Sequence, residues 1–196
     1  MVTIVPIRSN DFEWAMNVNF SKNENEVTEL YGDITSLQVG SAPFKATINA
    51  MVGEKYGQIR GTDFIYDNAG NKVVGANGLY LTSAVKDLGS IIPDWNMGIR
   101  NSFNYKNFSL SALLDIQKGG KYFSVTNMFG HYTGMLEETA ANNVRETGIV
   151  SKGVTGTVQN NGDGTYTVSN TAENTRNVSA GSYFGHYYAG PTSQNV

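Results

Sequence analysis

The chain of 196 residues contains no cysteine. That absence removes disulfides, thiolate nucleophiles and cysteine-held zinc in one step. Charge is scarce as well: Asp, Glu, Lys and Arg make up 16% of the residues, against roughly 25% in ordinary soluble proteins. The net charge is −3 and no basic run occurs, so the electrostatic footprint of a nucleic-acid-binding protein is missing. No apolar run approaches the 18 or so residues of a transmembrane helix. Met1-Val2-Thr3-Ile4-Val5-Pro6 lacks the cationic start and long apolar core of a signal peptide. The sequence opens inside a strand pattern at 2–5 and closes on a polar tail at 191–196. We therefore expect it to be part of something longer.

What is present is glycine (22), tyrosine (11) and phenylalanine (9), a mixture suited to an all-β, turn-rich protein. Residues 95–117 carry the clearest pattern. Trp95, Met97, Ile99, Asn101, Phe103 and Tyr105 alternate with Asn96, Gly98, Arg100, Ser102, Asn104 and Lys106. After a tight turn at Lys106-Asn107, Phe108, Leu110, Ala112, Leu114 and Ile116 alternate with Ser109, Ser111, Leu113, Asp115 and Gln117. A two-residue loop fixes the register, so Phe103 is predicted to face Leu110 and Ile99 to face Leu114. Asn101 interrupts the apolar face without an evident reason. An upstream strand repeats the pattern, with Phe12, Trp14, Met16, Val18 and Phe20 on one side.

Such alternation suits a transmembrane β-barrel, apolar outside and polar inside. It also suits a soluble sandwich, and periodicity leaves both open. Length favours the barrel. About 11 residues at roughly 3.4 Å each, tilted by about 45°, rise roughly 26 Å, close to the ~25 Å apolar band of an outer-membrane barrel.

The rest of the chain is organised around these strands. Wall strands are predicted near 2–5, 11–22, 95–105 and 108–117. Short turns at 6–10 and 106–107 put the long regions 23–94 and 118–196 together on the other side, as extracellular loops. Within them, 64–81 reads as a small meander, 157–169 as a hairpin around Asp163-Gly164, and 134–144 as the one short helix. The expected fold is thus all-β: a partial transmembrane antiparallel barrel, an open sheet of about three to five long strands, with long extracellular loops and at most one short helix.

Six phrases resemble the SusC/RagA family of TonB-linked outer-membrane transporters of Bacteroidetes. They are Asp11-Phe12-Glu13-Trp14 with Asn17 to Val27; Tyr56 to Gly61; Leu88-Gly89 with Pro93-Asp94-Trp95; Gly98 to Leu110; Asp115 to Gly120; and Thr139-Ala140 with Arg145 to Val150. They fall in the family's order over most of residues 8–153. The resemblance implies the C-terminal part of a barrel of about 22 strands, with the plug domain and the TonB-contact segment lying outside this chain. It also implies import of glycan fragments or peptides across the outer membrane of a Gram-negative bacterium. The implied partners are TonB (through the missing N-terminal part), a SusD-like surface lipoprotein, an oligosaccharide or peptide substrate, and outer-membrane lipid. On this reading Phe12, Trp14, Val18, Phe20, Ile99, Phe103, Leu110 and Leu114 face lipid.

No catalytic residue, cofactor site or metal site is assigned, and the chain is not expected to be an enzyme. His131 and His186 sit beside Tyr or Gly with no nameable base partner. Glu137-Glu138 are adjacent and face different ways on a helix. Asp67 to Asn71 and Asn160 to Gly164 resemble calcium-loop fragments but lack the spaced terminal Glu, and Asn/Asp/Gly turns account for them. Tyr183, Phe184, Tyr187 and Tyr188 are candidates for contact with substrate or partner, as are Arg100 and Asp115 on the polar face. The rival reading is a self-contained extracellular carbohydrate-binding or adhesin-like β-domain. A secreted glycoside hydrolase is a third, for which the sequence places no cleft with two carboxylates.

Overall fold

A computed structural model describes residues 1–42 and 44–196. The strands are β1 (Val2–Arg8), β2 (Phe12–Ser21), β3 (Ser36–Ala42), β4 (Ala46–Met51), β5 (Gln58–Phe64), β6 (Thr82–Ser90), β7 (Pro93–Tyr105), β8 (Phe108–Gly119), β9 (Ile149–Val150), β10 (Val154–Asn160), β11 (Tyr166–Glu173) and β12 (Asn177–Val178). The helices are α1 (Val125–Tyr132), α2 (Val144–Thr147) and α3 (Ala180–Ala189). Among the described residues, no helix is long and apolar enough to cross a membrane.

One antiparallel sheet, ordered β1-β2-β7-β8, holds the long strands. Its hairpin turns at Lys106, whose φ is +48°, and pairs Tyr105 with Phe108, Phe103 with Leu110 and Ile99 with Leu114. This is the register predicted from the alternation. The other contact of β7 pairs Trp14 with Phe103 and Val18 with Ile99. Among the described residues the sheet does not close, and β1 and β8 each keep an unpaired edge.

A second antiparallel sheet, β3-β4-β5-β6, fills much of 23–94. The pattern-based reading found only the meander at 64–81, which survives as the bridges Tyr66–Lys72 and Val74–Tyr80. β10 and β11 form the expected hairpin. Two small cores lie here: Ala46, Ile59 and Leu88 in one, and Ile65, Val73 and Val168 in the other.

The expectation of one short helix over 134–144 is corrected. Gly134 (φ +74°), Asn142 (φ +53°) and Asn143 (φ +59°) take left-handed conformations that interrupt a helix. Only short 3-10 turns form there, followed by the four-residue α2. The longer helices lie on either side. Ser124 caps α1 by accepting the Asn127 N–H at 3.0 Å, and Ser179 caps α3 by accepting that of Ser182 at 3.2 Å, the usual role of an N-cap serine.

Candidate functional site

The long sheet has two chemically distinct faces. Cross-strand partners share a face, so the registers sort the side chains. On one side lie the rows Phe12–Tyr105–Phe108, Trp14–Phe103–Leu110, Met16–Asn101–Ala112, Val18–Ile99–Leu114 and Phe20–Met97–Ile116. β1 extends three of them with Val2, Ile4 and Ile7. All eight side chains read as lipid-facing therefore occupy one face. Trp14 stacks on Phe103 with centroids 5.8 Å apart, and Phe20 lies 5.9 Å from Trp95.

Among the described residues, nothing buries this face. Phe108 is 78% exposed, Leu110 68% and Phe20 59%. None of the buried hydrophobic residues of the core belongs to β1, β2, β7 or β8. A soluble sandwich buries such a face against a second layer, and here the other sheet builds its cores elsewhere.

Asn101, the irregular member, has a role on this face. Its Oδ1 accepts the indole N–H of Trp14 at 3.1 Å. An indole N–H facing an apolar medium needs such a partner. Sequence pattern alone misses this because the two residues are 87 positions apart.

The opposite face carries Glu13–Asn104–Ser109, Ala15–Ser102–Ser111, Asn17–Arg100–Leu113 and Asn19–Gly98–Asp115. Thr3 donates to Asn17 at 2.8 Å, and Arg8 pairs with Glu13 at 2.7 Å. Gly98 allows the Asn19 amide to lie across it, accepting the Gly98 N–H at 2.8 Å. A Cβ on Gly98 would meet that amide at 2.8 Å. Arg100 and Asp115 are both exposed on this face, and neither makes an ion pair among the described residues.

The four candidate aromatic residues of the tail lie on α3, not in an open loop. Phe184 is 7% exposed and packs toward α1. Tyr187 stacks on His131 at 3.7 Å with planes 7° apart. Burial raises the pKa of Tyr183 well above that of a free tyrosine, and neighbouring Tyr80 and Tyr187 add to the effect. Tyr188 alone of the four joins an outward cluster, with rings 5.1 Å from Tyr132, 6.1 Å from Phe129 and 5.8 Å from Phe44.

Both histidines are fixed in structure rather than free in loops. The His131 ring is held between the Asn127 carbonyl (Nδ1, 2.8 Å) and the Glu138 carboxylate (Nε2, 3.0 Å). His186 Nε2 donates to the Tyr80 carbonyl at 2.9 Å. Burial lowers the His186 pKa, outweighing that hydrogen bond. Lys45 meets the C-terminal end of α3, donating to the carbonyls of Tyr187 and Pro191 at 3.4 Å each and to that of Gly190. Burial lowers its pKa to about 8.

The segment after α3 is clamped to the second sheet. Thr192 accepts the Thr62 N–H, and Thr62 Oγ1 accepts the Thr192 N–H, both at 3.1 Å. Gly61 makes room for it, since a Cβ there would sit 2.5 Å from Thr192. Beside it, Asp63 pairs with Lys86 at 2.6 Å and accepts from Ser193. Burial opposes ionisation of Asp63, but these partners prevail and hold its carboxyl below the usual carboxylate range.

Known proteins resemble this chain in sequence. "TonB-dependent receptor P3" of Formosa agariphila is 28% identical over 144 residues, covering 61% of this chain and 14% of that receptor. "TonB-dependent receptor P26" of the same organism is 26% identical over 153 residues, covering 68% of this chain and 15% of that receptor. This chain is thus similar in sequence to TonB-dependent receptors. No family model matches it. The chain spans about one seventh of the length of the curated relatives it matches. A large, two-faced antiparallel sheet with one apolar face left open is the architecture expected of a stretch of such a receptor's wall.

Proposed function

We propose that this chain supplies wall strands and outward loops to a TonB-dependent importer of the SusC/RagA type in the outer membrane of a Gram-negative bacterium. The observation that carries the reading is the uncovered apolar face, five rows deep across three strands, backed by a polar face. The apolar side meets lipid and the polar side lines the lumen. The turn at Lys106-Asn107 then lies on the periplasmic side, and 23–94 and 118–196 project outward.

The cargo on this reading is a nutrient too large for diffusion through porins, such as an oligosaccharide or a peptide. Energy comes through TonB, and a SusD-like surface lipoprotein meets the outward loops. Tyr188, Tyr132 and Phe44 form the outward surface best suited to such a contact, because their rings are exposed. Arg100 and Asp115 are placed to meet polar cargo along the lumen wall. Bond-making chemistry has no place in this reading.

The test places one Arg on each face of the same strand in the full-length protein. Arg at the membrane midplane on the lipid side costs roughly 2–4 kcal/mol. Ile99→Arg is expected to reduce outer-membrane assembly strongly, as measured by membrane fractionation and heat-modifiable gel mobility. Ser102→Arg, facing the lumen, is expected to assemble normally. Equal assembly of the two variants would remove the lipid-facing assignment.

A further inference from the structure

The apolar face carries one charged side chain among its strand residues. Lys118 pairs with Trp95 in the register of β7 and β8, and Trp95 shares the face of Phe20, whose ring it meets at 5.9 Å. Lys118 therefore continues the row of Phe108, Leu110, Ala112, Leu114 and Ile116. No acidic residue shares this face within β1, β2, β7 or β8.

Its position along the strand is informative. Ten residue steps separate Phe108 from Lys118. At about 3.4 Å per step and a tilt of about 45°, they rise about 24 Å. Lys118 thus stands where an apolar band of about 25 Å ends, next to the aromatic pair Phe20–Trp95. A lysine there extends its stem along apolar surface and delivers its ammonium to the headgroup layer.

The neighbouring charges are already engaged. Asp94 pairs with Lys55 at 3.0 Å, and Lys22 pairs with Glu24. At the other end of the face, Lys106 lies 5.5 Å over its own neighbour's ring, Tyr105. Lys118 is exposed and makes no ion pair, side-chain hydrogen bond or cation–π contact among the described residues.

We propose that Lys118, seated beside Trp95 and Phe20, binds the phosphate of an anionic lipid headgroup at the membrane rim remote from the Lys106-Asn107 turn. The proposal rests on the wall reading above. The ammonium supplies the charge and three donors, and the flanking rings fix the depth at which the lipid sits.

The chain's two tryptophans, Trp14 and Trp95, make the test direct. The full-length protein, with every tryptophan outside these 196 residues replaced by phenylalanine, is reconstituted in phosphatidylcholine vesicles doped with acyl-brominated lipid, either phosphatidylglycerol or phosphatidylcholine at equal fraction. In a Trp14→Phe background, Trp95 is expected to be quenched preferentially by the anionic bromolipid. The expected local enrichment is about fivefold, the preference that one lysine near a charged surface provides. Lys118→Gln should abolish the preference and Lys118→Arg should retain it. Inorganic phosphate in the buffer should leave it intact.

Equal quenching of Trp95 by both lipids, or a preference that survives Lys118→Gln, overturns the proposal. So does loss of the preference to inorganic phosphate, which would mark a free-anion site. The wall reading has its own readout, Trp14 in a Trp95→Phe background. If Trp14 is quenched equally by both lipids while Trp95 shows no preference, the headgroup site alone fails. If neither tryptophan is quenched by either lipid, the wall reading falls and the site with it.

Discussion

His186 shows how one side chain couples the loop region to pH. Its Nε2–H is committed to the Tyr80 carbonyl, and burial, with Lys45 nearby, holds its pKa below the ordinary value of 6.5. The unfolded chain then binds the proton more readily than the folded one over the interval below 6.5. The stability contributed by neutral His186 is complete above pH 6.5. It is lost as pH falls through that interval, and the loss levels off beneath the folded-state pKa. The protection factors of the α3 amides in detergent, measured exchange corrected for the intrinsic rate, should therefore fall as pH drops below 6.5. His186→Gln keeps a donor but cannot take up a proton, and its α3 protection factors should lose that dependence on pH. An unchanged pH profile in the variant would remove His186 as the cause. Asn101 makes a complementary point about single residues. A polar side chain on an apolar face reads as a defect in the pattern until the indole it satisfies is located.

Among elements, the docking of the segment after α3 against β5 depends on one absent side chain. Gly61 lies against Thr192 so closely that a methyl group would fall 2.5 Å from it. Gly61→Ala should displace Thr192, break its paired hydrogen bonds with Thr62, and cost about 1–3 kcal/mol, the usual range for overpacking. Gly181 in α3 has open space around its Cβ position. Gly181→Ala should stabilise α3 by up to about 1 kcal/mol through helix propensity. Thermal melts in detergent, read with exchange at 190–196, should move in opposite directions for the two variants, and a shared direction would contradict the packing account. The same elements show what sequence reveals. The long strands were legible because period-2 alternation and a tight turn fix register without distant information, so Phe103 faces Leu110 as predicted. The second sheet was not, since β3 and β6, rich in Ser, Gly and Ala, show little alternation and are set by their neighbours. Helix α3 was hidden by Gly181 and Gly185, which lower propensity, and by aromatic residues that favour strands. Its helical state comes from packing: Phe184 and Tyr187, three apart, both meet His131. The burial of Phe184, and the partial burial of Tyr183 and Tyr187, could have been found only from that helical spacing.

At the scale of the whole molecule, the long sheet and the rest of the chain need different surroundings. The cores around Ile59 and Val73 bury their apolar residues in the manner of a water-soluble domain. The β1-β2-β7-β8 sheet buries none of the core and leaves two edges unpaired. Its exposed rows, including Ile4, Phe20, Phe108, Leu110 and Leu114, form a contiguous patch. Soluble monomers seldom expose apolar patches beyond a few hundred Å², and open edges add a template for pairing between copies. The 196-residue chain in water is therefore expected to self-associate through this sheet, and detergent should disperse it by covering the same face. Light scattering with and without detergent measures this directly. If β8 contributes as argued, Leu110→Lys with Leu114→Lys should reduce the association, because two charges then interrupt the most exposed strand of the patch. A monodisperse, cooperatively melting monomer in plain buffer would show that some packing covers the face in solution. It would overturn the membrane-wall reading in favour of a self-contained extracellular β-domain.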